Sequence, residues 1–449
     1  MGTLIRGRYI LTSSEPASIE DGAVRVVGER VDSVGPWEAL RRAFPEDKVT
    51  GGPHDIVTPG FVNTHGHFSE GLVTGIAEQY TLWEWLGALI RPVAFHLDEE
   101  MAYVGTLLAG VQMLRSGITL ANDMFVYHPT GDRPATVGVV RAVDELGIRA
   151  VLSFGAEDTY APIPLSRLMD EHAALAEATA ASRLSRFRVG VVAVLAQSPG
   201  LFAATVRLAV DGGHGVHVHL QEVREEVTAA RMTFGVTTIA HCARSGLFDA
   251  STLGAHCVWV DAADRELLAE HGVGVAHNPV ANMILASGVC PVSELRGLGI
   301  HVGLGVDGPA SNDRQDMLEV IKMAVLLQRI DRLQATALQA RDALEMATIG
   351  GAAALGLAAE LGSIAVGKAA DLVVFDGTSP ALANVHDPFQ AVVYCAGPRE
   401  VKDVWVAGAR AVVGGEVVGV DVAEAVARSR PLARTLAQKA GLGGLSRLA

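Results

Sequence analysis

The segment Pro59-Gly60-Phe61-Val62-Asn63-Thr64-His65-Gly66-His67 ends an apolar run with two imidazoles two residues apart. A strand alternates its side chains between faces, so this spacing puts both rings on one side. A lone pair of this kind suits a hydrogen-bonded core as well as a ligand set. Three further strand-like runs, however, end in related chemistry: His217-Val218-His219-Leu220-Gln221-Glu222, Ala255-His256-Cys257 and Gly305-Val306-Asp307-Gly308. Four strand ends offering His, His with Glu, His and Asp, in that order, form the layout of a catalytic metal site at the C-terminal face of a barrel.

Working outward, apolar runs alternate with amphipathic segments, the pattern of βα units and a parallel sheet. Eight strands are expected: 56–63, 118–122, 150–154, 188–195, 215–220, 253–258, 273–277 and 301–305. Eight strands close a barrel. The intervening stretches 99–116, 264–271 and 315–328 carry apolar residues at helical spacing. Residues 1–58 and 365–420 instead read as short strands and turns. The fold class expected is therefore α/β: a TIM-like (β/α)8 barrel over 59–364, with a small β-sandwich domain built from both chain ends (1–58 and 365–420) and a helical tail at 421–449.

The 449 residues suffice for a large core and exceed a single barrel. A net charge of -14 argues against nucleic acid as a partner, and small neutral or cationic molecules fit better. Cys242, Cys257, Cys290 and Cys395 form no CxxC pair, which suits reduced thiols in the cytoplasm and excludes a zinc finger. No run reaches the ~18 apolar residues of a membrane span, so no membrane association is expected.

On such a barrel His65 and His67 end strand one, His219 strand five and Asp307 strand eight, with His256 in strand six. Three imidazoles and a carboxylate suit one Zn²⁺, or Fe²⁺, with an open position for water. Spacing alone leaves His217 and His219 equivalent. Glu222, three residues past His219, can face the water without binding the metal, taking a proton from it and returning it to a leaving nitrogen. His256 reads either as a core histidine or as a donor orienting that water. No lysine lies between Lys48 and Lys322, so no barrel strand can supply a carbamylated lysine to bridge two metals, and one ion per chain is expected.

With these motifs, and with His277-Asn278-Pro279-Val280-Ala281-Asn282-Met283 and Gly362-Ser363-Ile364-Ala365-Val366-Gly367-Lys368-Ala369-Ala370-Asp371-Leu372, nearly the whole chain resembles the amidohydrolase superfamily. The branch it resembles holds cytosine, guanine, adenosine and S-adenosylhomocysteine/methylthioadenosine deaminases and the triazine hydrolases. The resemblance implies a metal, usually zinc, on His65, His67, His219 and Asp307, with Glu222, His256 and Asp307 activating water; it selects His219 over His217. It also implies substrate contacts from Glu70, Trp85 and Asn282. Relatives that deaminate S-adenosylhomocysteine carry an Arg after strand three and a His in a Pro-His-Ser-Pro turn after strand four. Phe154 and Gln197 stand at those places here. Their presence disfavours adenosine-type substrates, and Gln197 reads equally as an amide offered to the edge of a heterocycle or as one that stabilises its own turn.

The function expected is hydrolytic deamination of an amino-substituted N-heterocycle, with metal-activated water attacking and ammonia leaving. The alternatives are loss of another leaving group, as in an s-triazine chlorohydrolase, or opening of a cyclic amide or amidine. An inactive, metal-holding binding protein would lack a catalytic residue, and none is missing. A homo-oligomer is expected.

Overall fold

The computed structural model describes residues 2–131 and 133–448. Eight parallel strands close a barrel: Phe61–Gly66, Ile118–Phe125, Arg149–Ala156, Ser185–Val191, Gly215–Leu220, Thr252–His256, Gly274–His277 and Val302–Leu304, numbered one to eight below. Helices between them, among them Glu99–Arg115 and Met317–Arg332, cover the outside. Almost every strand residue is buried on both faces, as a sheet walled by helices requires. The barrel floor is filled by Val62, Leu120, Val151, Leu253 and Ala276.

The expected first strand, 56–63, divides in two. Ile56–Pro59 joins a second sheet and Phe61–Gly66 enters the barrel. The break falls at Gly60, whose amide donates to the Asp371 carbonyl and where a Cβ would lie 2.2 Å from Thr119 Oγ1. Both halves are apolar and buried, so hydrophobicity alone could not separate them. Strand four starts and stops earlier than expected, because Val194–Ala196 turns as a short 3-10 helix.

The second sheet is mixed and nine-stranded, and it draws on both chain ends. Thr3–Leu11 pairs with Ser18–Val27 and Ile56–Pro59, and the latter runs antiparallel to Leu372–Phe375 with Val57 opposite Val374. Ile5, Ile10, Val24, Val57, Leu372, Val374 and Trp405 pack beneath it. A half-buried bidentate ion pair, Arg149 to Asp371 at 2.8 and 3.2 Å, ties this sheet to the foot of strand three. The last long helix, Val422–Lys439, lies against Glu99–Arg115, with Arg428 bonded to Glu100 and 5.2 Å over the Tyr103 ring. No helix among the described residues is long and apolar enough to cross a membrane.

Candidate active site

Inward-facing groups at the strand ends meet at the floor of a cavity of about 540 Å³. Strand one delivers His65 and His67 by its alternation. The Nδ1 of His67 lies 2.7 Å from the Met124 carbonyl, which can only accept, so that nitrogen holds the proton and Nε2 presents a bare lone pair. That lone pair lies 3.2 Å from His219 Nε2 and 3.4 Å from Asp307 Oδ1, while His65 Nε2 is 3.3 Å from the same oxygen. His65 Nε2 is buried without a hydrogen-bond partner. Crowded lone pairs with no proton between them fit a divalent cation of the zinc type. Burial suits them to that role, since it lowers His67 to about 4 and His219 well below its ordinary value, keeping both neutral as ligands must be. Ligand atoms of His65, His67 and His219 lie within 4.8 Å of one another, as do those of His65, His256 and Asp307.

His217 and His219 share a face of strand five but not a level. His219 lines the cavity, whereas His217 is fully buried below, its Nε2 2.8 Å from His65 Nδ1 and its Nδ1 3.2 Å from the Asn122 amide. His217 thus orients His65 from beneath.

Glu222 follows strand five, where Gln221 turns the backbone through a left-handed φ of 50°. Its Oε1 accepts from the Ser287 hydroxyl at 3.1 Å, and its Oε2 lies 3.4 Å from His256 Nε2. The Asn282 and Asn278 amides approach His256 Nδ1 at 3.0 and 3.3 Å. An amide N–H donates, so His256 Nδ1 accepts and its proton sits on Nε2, facing Glu222 and, at 3.7 Å, Asp307 Oδ2. Burial brings His256 down to about 3, so the ring is neutral and a donor. The two carboxyls are driven apart: burial and the nearby Asp307 push Glu222 well above its usual range, while at Asp307 the facing histidines outweigh burial and hold the group well below. Left-handed backbone at His256 (φ 71°) and Asp307 (φ 60°), neither of them glycine, concentrates strain at these same strand ends.

The expected substrate contacts divide. Trp85 and Glu70 line the cavity; the Trp85 indole N–H has no partner among the described residues, and Glu70 accepts from the Ala310 amide at 2.9 Å. Phe154 does not line it. Strand three turns Val151 and Ser153 inward and Phe154 outward, where its ring packs on Tyr127 and His172 in the helix layer. Gln197 is also absent from the wall, because its amide donates to the Ala156 carbonyl at 2.9 Å and supports the turn. Asn282 reaches His256 and does not line the cavity. Sequence reasoning missed Glu157, Tyr160 and Arg91, all of which do line it. His128 is buried with its Nε2 3.4 Å from Glu157. Counting strand three's alternation on from Ser153 would have turned Glu157 inward, but the expected strand stopped at Phe154.

A model of the amidohydrolase family matches residues 56–411. A 5'-deoxyadenosine deaminase from Methanopyrus kandleri is 34% identical over 420 residues, 93% of this chain and 94% of its own. A 5-methylthioadenosine/S-adenosylhomocysteine deaminase from Desulforudis audaxviator is 36% identical, covering 97% of this chain and 99% of that one. The crystal structure of an adenosine deaminase from Xanthomonas campestris, with bound zinc, superimposes with a TM-score of 0.90 at 30% identity over 97% of this chain and 98% of that one. Spanning both the barrel and much of the second sheet, the match establishes that the chain belongs to the amidohydrolase family.

Proposed function

We propose that this protein is a hydrolytic deaminase that replaces the amino group of an N-heterocycle, a nucleobase, nucleoside or related ring, with oxygen and releases ammonia. The observation that carries the reading is Glu222, a buried carboxyl of raised affinity for protons, held between His256 and Ser287 beside an ionised Asp307. His65, His67, His219 and Asp307 would hold one divalent ion per chain, zinc by the donor set and iron by the same criteria. Such an ion supplies Lewis acidity, lowering the pKa of water enough for attack at neutral pH.

The remaining steps fall to the chain's own residues. Glu222 accepts one proton from the attacking water and delivers it to the departing nitrogen, while the His256 Nε2–H stabilises oxygen arriving at the ring carbon. Asp307 takes the second proton and passes it to the ring nitrogen beside that carbon; the carbon-nitrogen bond to the amino group breaks, water's oxygen stays on the ring as a carbonyl, and ammonia departs with the one proton from Glu222. Trp85 supplies a flat apolar wall for the ring, its N–H without a partner among the described residues and open to a ring acceptor, and Glu70 lines the same cavity. The full-length likeness to named deaminases supports a hydrolase acting on carbon-nitrogen bonds. Four free cysteines support a reducing, cytoplasmic setting. Exposed Met283, Leu326, Ile330 and Leu333, lining one surface groove, support a homo-oligomer.

The test is an ammonia-release screen of zinc-loaded protein over purines, pyrimidines, pterins, triazines and their nucleosides. Release from at least one amino-heterocycle with kcat/KM above roughly 10⁴ M⁻¹s⁻¹ is expected. Turnover confined to chloride-bearing triazines or cyclic amides would overturn the reading.

A further inference from the structure

Five carboxyl groups line the cavity: Glu70, Glu157, Glu222, Glu226 and Asp307. Four of them accept hydrogen bonds from the protein. Glu70 takes the Ala310 amide and Glu222 the Ser287 hydroxyl; Glu226 takes the amides of Gln221 and Glu222 and the Thr238 hydroxyl; Asp307 takes the Gly308 amide. Glu157 takes none among the described residues, although it is only 7% exposed, and His128 Nε2 lies 3.4 Å from its Oε1. Both His128 nitrogens are themselves buried and unpartnered, and burial with the nearby Arg91 charge brings that ring down to about 4, so it is neutral. A carboxyl that faces a cavity and takes no donor from the protein is open to a donor carried by a ligand.

Glu157 is also held rigidly. Its preceding carbonyl, on Ala156, accepts from the Gln197 amide at 2.9 Å. The following residue, Asp158, donates its N–H to the Ala196 carbonyl at 3.2 Å and takes the Ser198 amide and hydroxyl, each at 2.6 Å, on its carboxylate. Clamped on both sides, the backbone at Glu157 is fixed, and its side chain lines the wall. Ser153, four residues earlier on the same face, lies level with His217 beneath the catalytic floor. At 3.3 Å per residue, and allowing for strand tilt, Glu157 stands roughly 10 Å up the wall. The Arg91 guanidinium, which lines the same cavity, is stacked 3.5 Å over the Tyr160 ring and forms no ion pair among the described residues. A ring seated at the floor therefore directs a substituent past Glu157 on its way out.

We propose that Glu157, set by Gln197, is a specificity-determining residue that accepts a hydrogen bond from a cationic amine carried on the substrate's ring substituent, and that it discriminates against an anionic substituent at the same place. This rests on the deaminase reading above and goes beyond it by naming the substituent.

Three nucleosides that differ at one position test it: 5'-amino-5'-deoxyadenosine, 5'-deoxyadenosine and adenosine-5'-carboxylic acid. They are assayed at pH 8 with zinc-loaded protein by ammonia release, and their 6-oxo counterparts are titrated calorimetrically so that binding is read without turnover. In the unaltered protein kcat/KM and affinity should rank amine above methyl above carboxylate, with amine and carboxylate at least about a hundredfold apart. Glu157→Gln should shrink that ratio about tenfold or more, as loss of a charge-assisted hydrogen bond requires. Gln197→Ala should shrink it by less. Equal or inverted ranking, or a ratio unmoved by Glu157→Gln, overturns the proposal. Absence of both turnover and binding for all three overturns it as well. If the 6-oxo compounds bind in the expected order but no amino compound is turned over, the subsite stands and the deaminase reading for this ring fails.

Discussion

Replacing Gly308 with alanine should disable the protein through a single collision. Gly308 follows Asp307, and a Cβ built on it falls 1.8 Å from Glu70 Oε2 and 2.3 Å from Glu70 Cδ. Heavy atoms need more than 3 Å, so one of the two must retreat by over 1 Å. Glu70 is buried and its Oε2 accepts from the Ala310 amide, so its retreat breaks that bond and leaves a buried N–H unpaired, at about 1–3 kcal/mol. If the loop retreats instead, Asp307 moves with it, and a 1 Å misplacement of a catalytic group costs about 10²-fold in rate. We expect Gly308→Ala to lose roughly 2–3 kcal/mol of stability, a fall of about 2–3 °C in Tm for a chain of this length, together with a hundredfold fall in kcat/KM. The assay pairs calorimetric melting with steady-state kinetics on Gly308→Ala, Glu70→Ala and the double variant. With the colliding carboxyl already gone, the double variant should be no less stable than Glu70→Ala alone. Strict additivity of the two losses, or a single variant that melts and turns over normally, would refute the reasoning.

Four further outcomes follow from the site. Glu222→Gln keeps size and hydrogen bonding but cannot carry protons, so elemental analysis should find metal retained while kcat falls by at least ~10². His67→Ala should lose metal and activity together, and the unaltered protein should hold one ion per chain and lose turnover on chelation; two tightly bound ions would contradict this. Asn282→Leu removes an amide from His256 Nδ1, and a 10–100-fold fall in kcat with unchanged metal content is expected in an activity and metal assay. Burial, opposed by Arg91 and reinforced by Asp158, raises Glu157 to about 7, with neutral His128 facing it. A raised carboxyl is protonated below that value, so preference for the amine-bearing nucleoside over the carboxylate should grow as pH rises through about 7, and a flat pH profile would count against it.

The barrel and its floor were legible because period-two spacing carries side-chain direction. His65, His67, His219, Glu222, His256 and Asp307 each fall at or just past a strand end, and short apolar runs announced those ends. The walls were less legible. Phe154 was placed one residue off the inward register, and in a strand buried on both faces the hydrophobic pattern gives no sign of which side faces the barrel. Gln197 and Asn282 are polar residues that bond to the protein itself, to Ala156 and His256, and sequence does not tell a bonded amide from one awaiting a ligand. Arg91 and Tyr160 approach from helix and loop outside the strands, where no periodicity fixes direction.

The pairing of Val57 with Val374 also bears on how the protein is made. A ribosome emits Ile56–Pro59 about 300 residues before its neighbour Leu372–Phe375, an interval of roughly 15–60 s at ordinary elongation rates. For that time the hydrogen-bonding edge of Ile56–Pro59 away from Thr3–Leu11 stays open, a template for stray strands. The nascent barrel meanwhile lacks the Asp371 counter-ion of Arg149. A chain released before residue 371 therefore ends with both an unpaired edge and an unpaired, half-buried cation, and quality control would meet it as an aggregation-prone fragment rather than as a smaller enzyme.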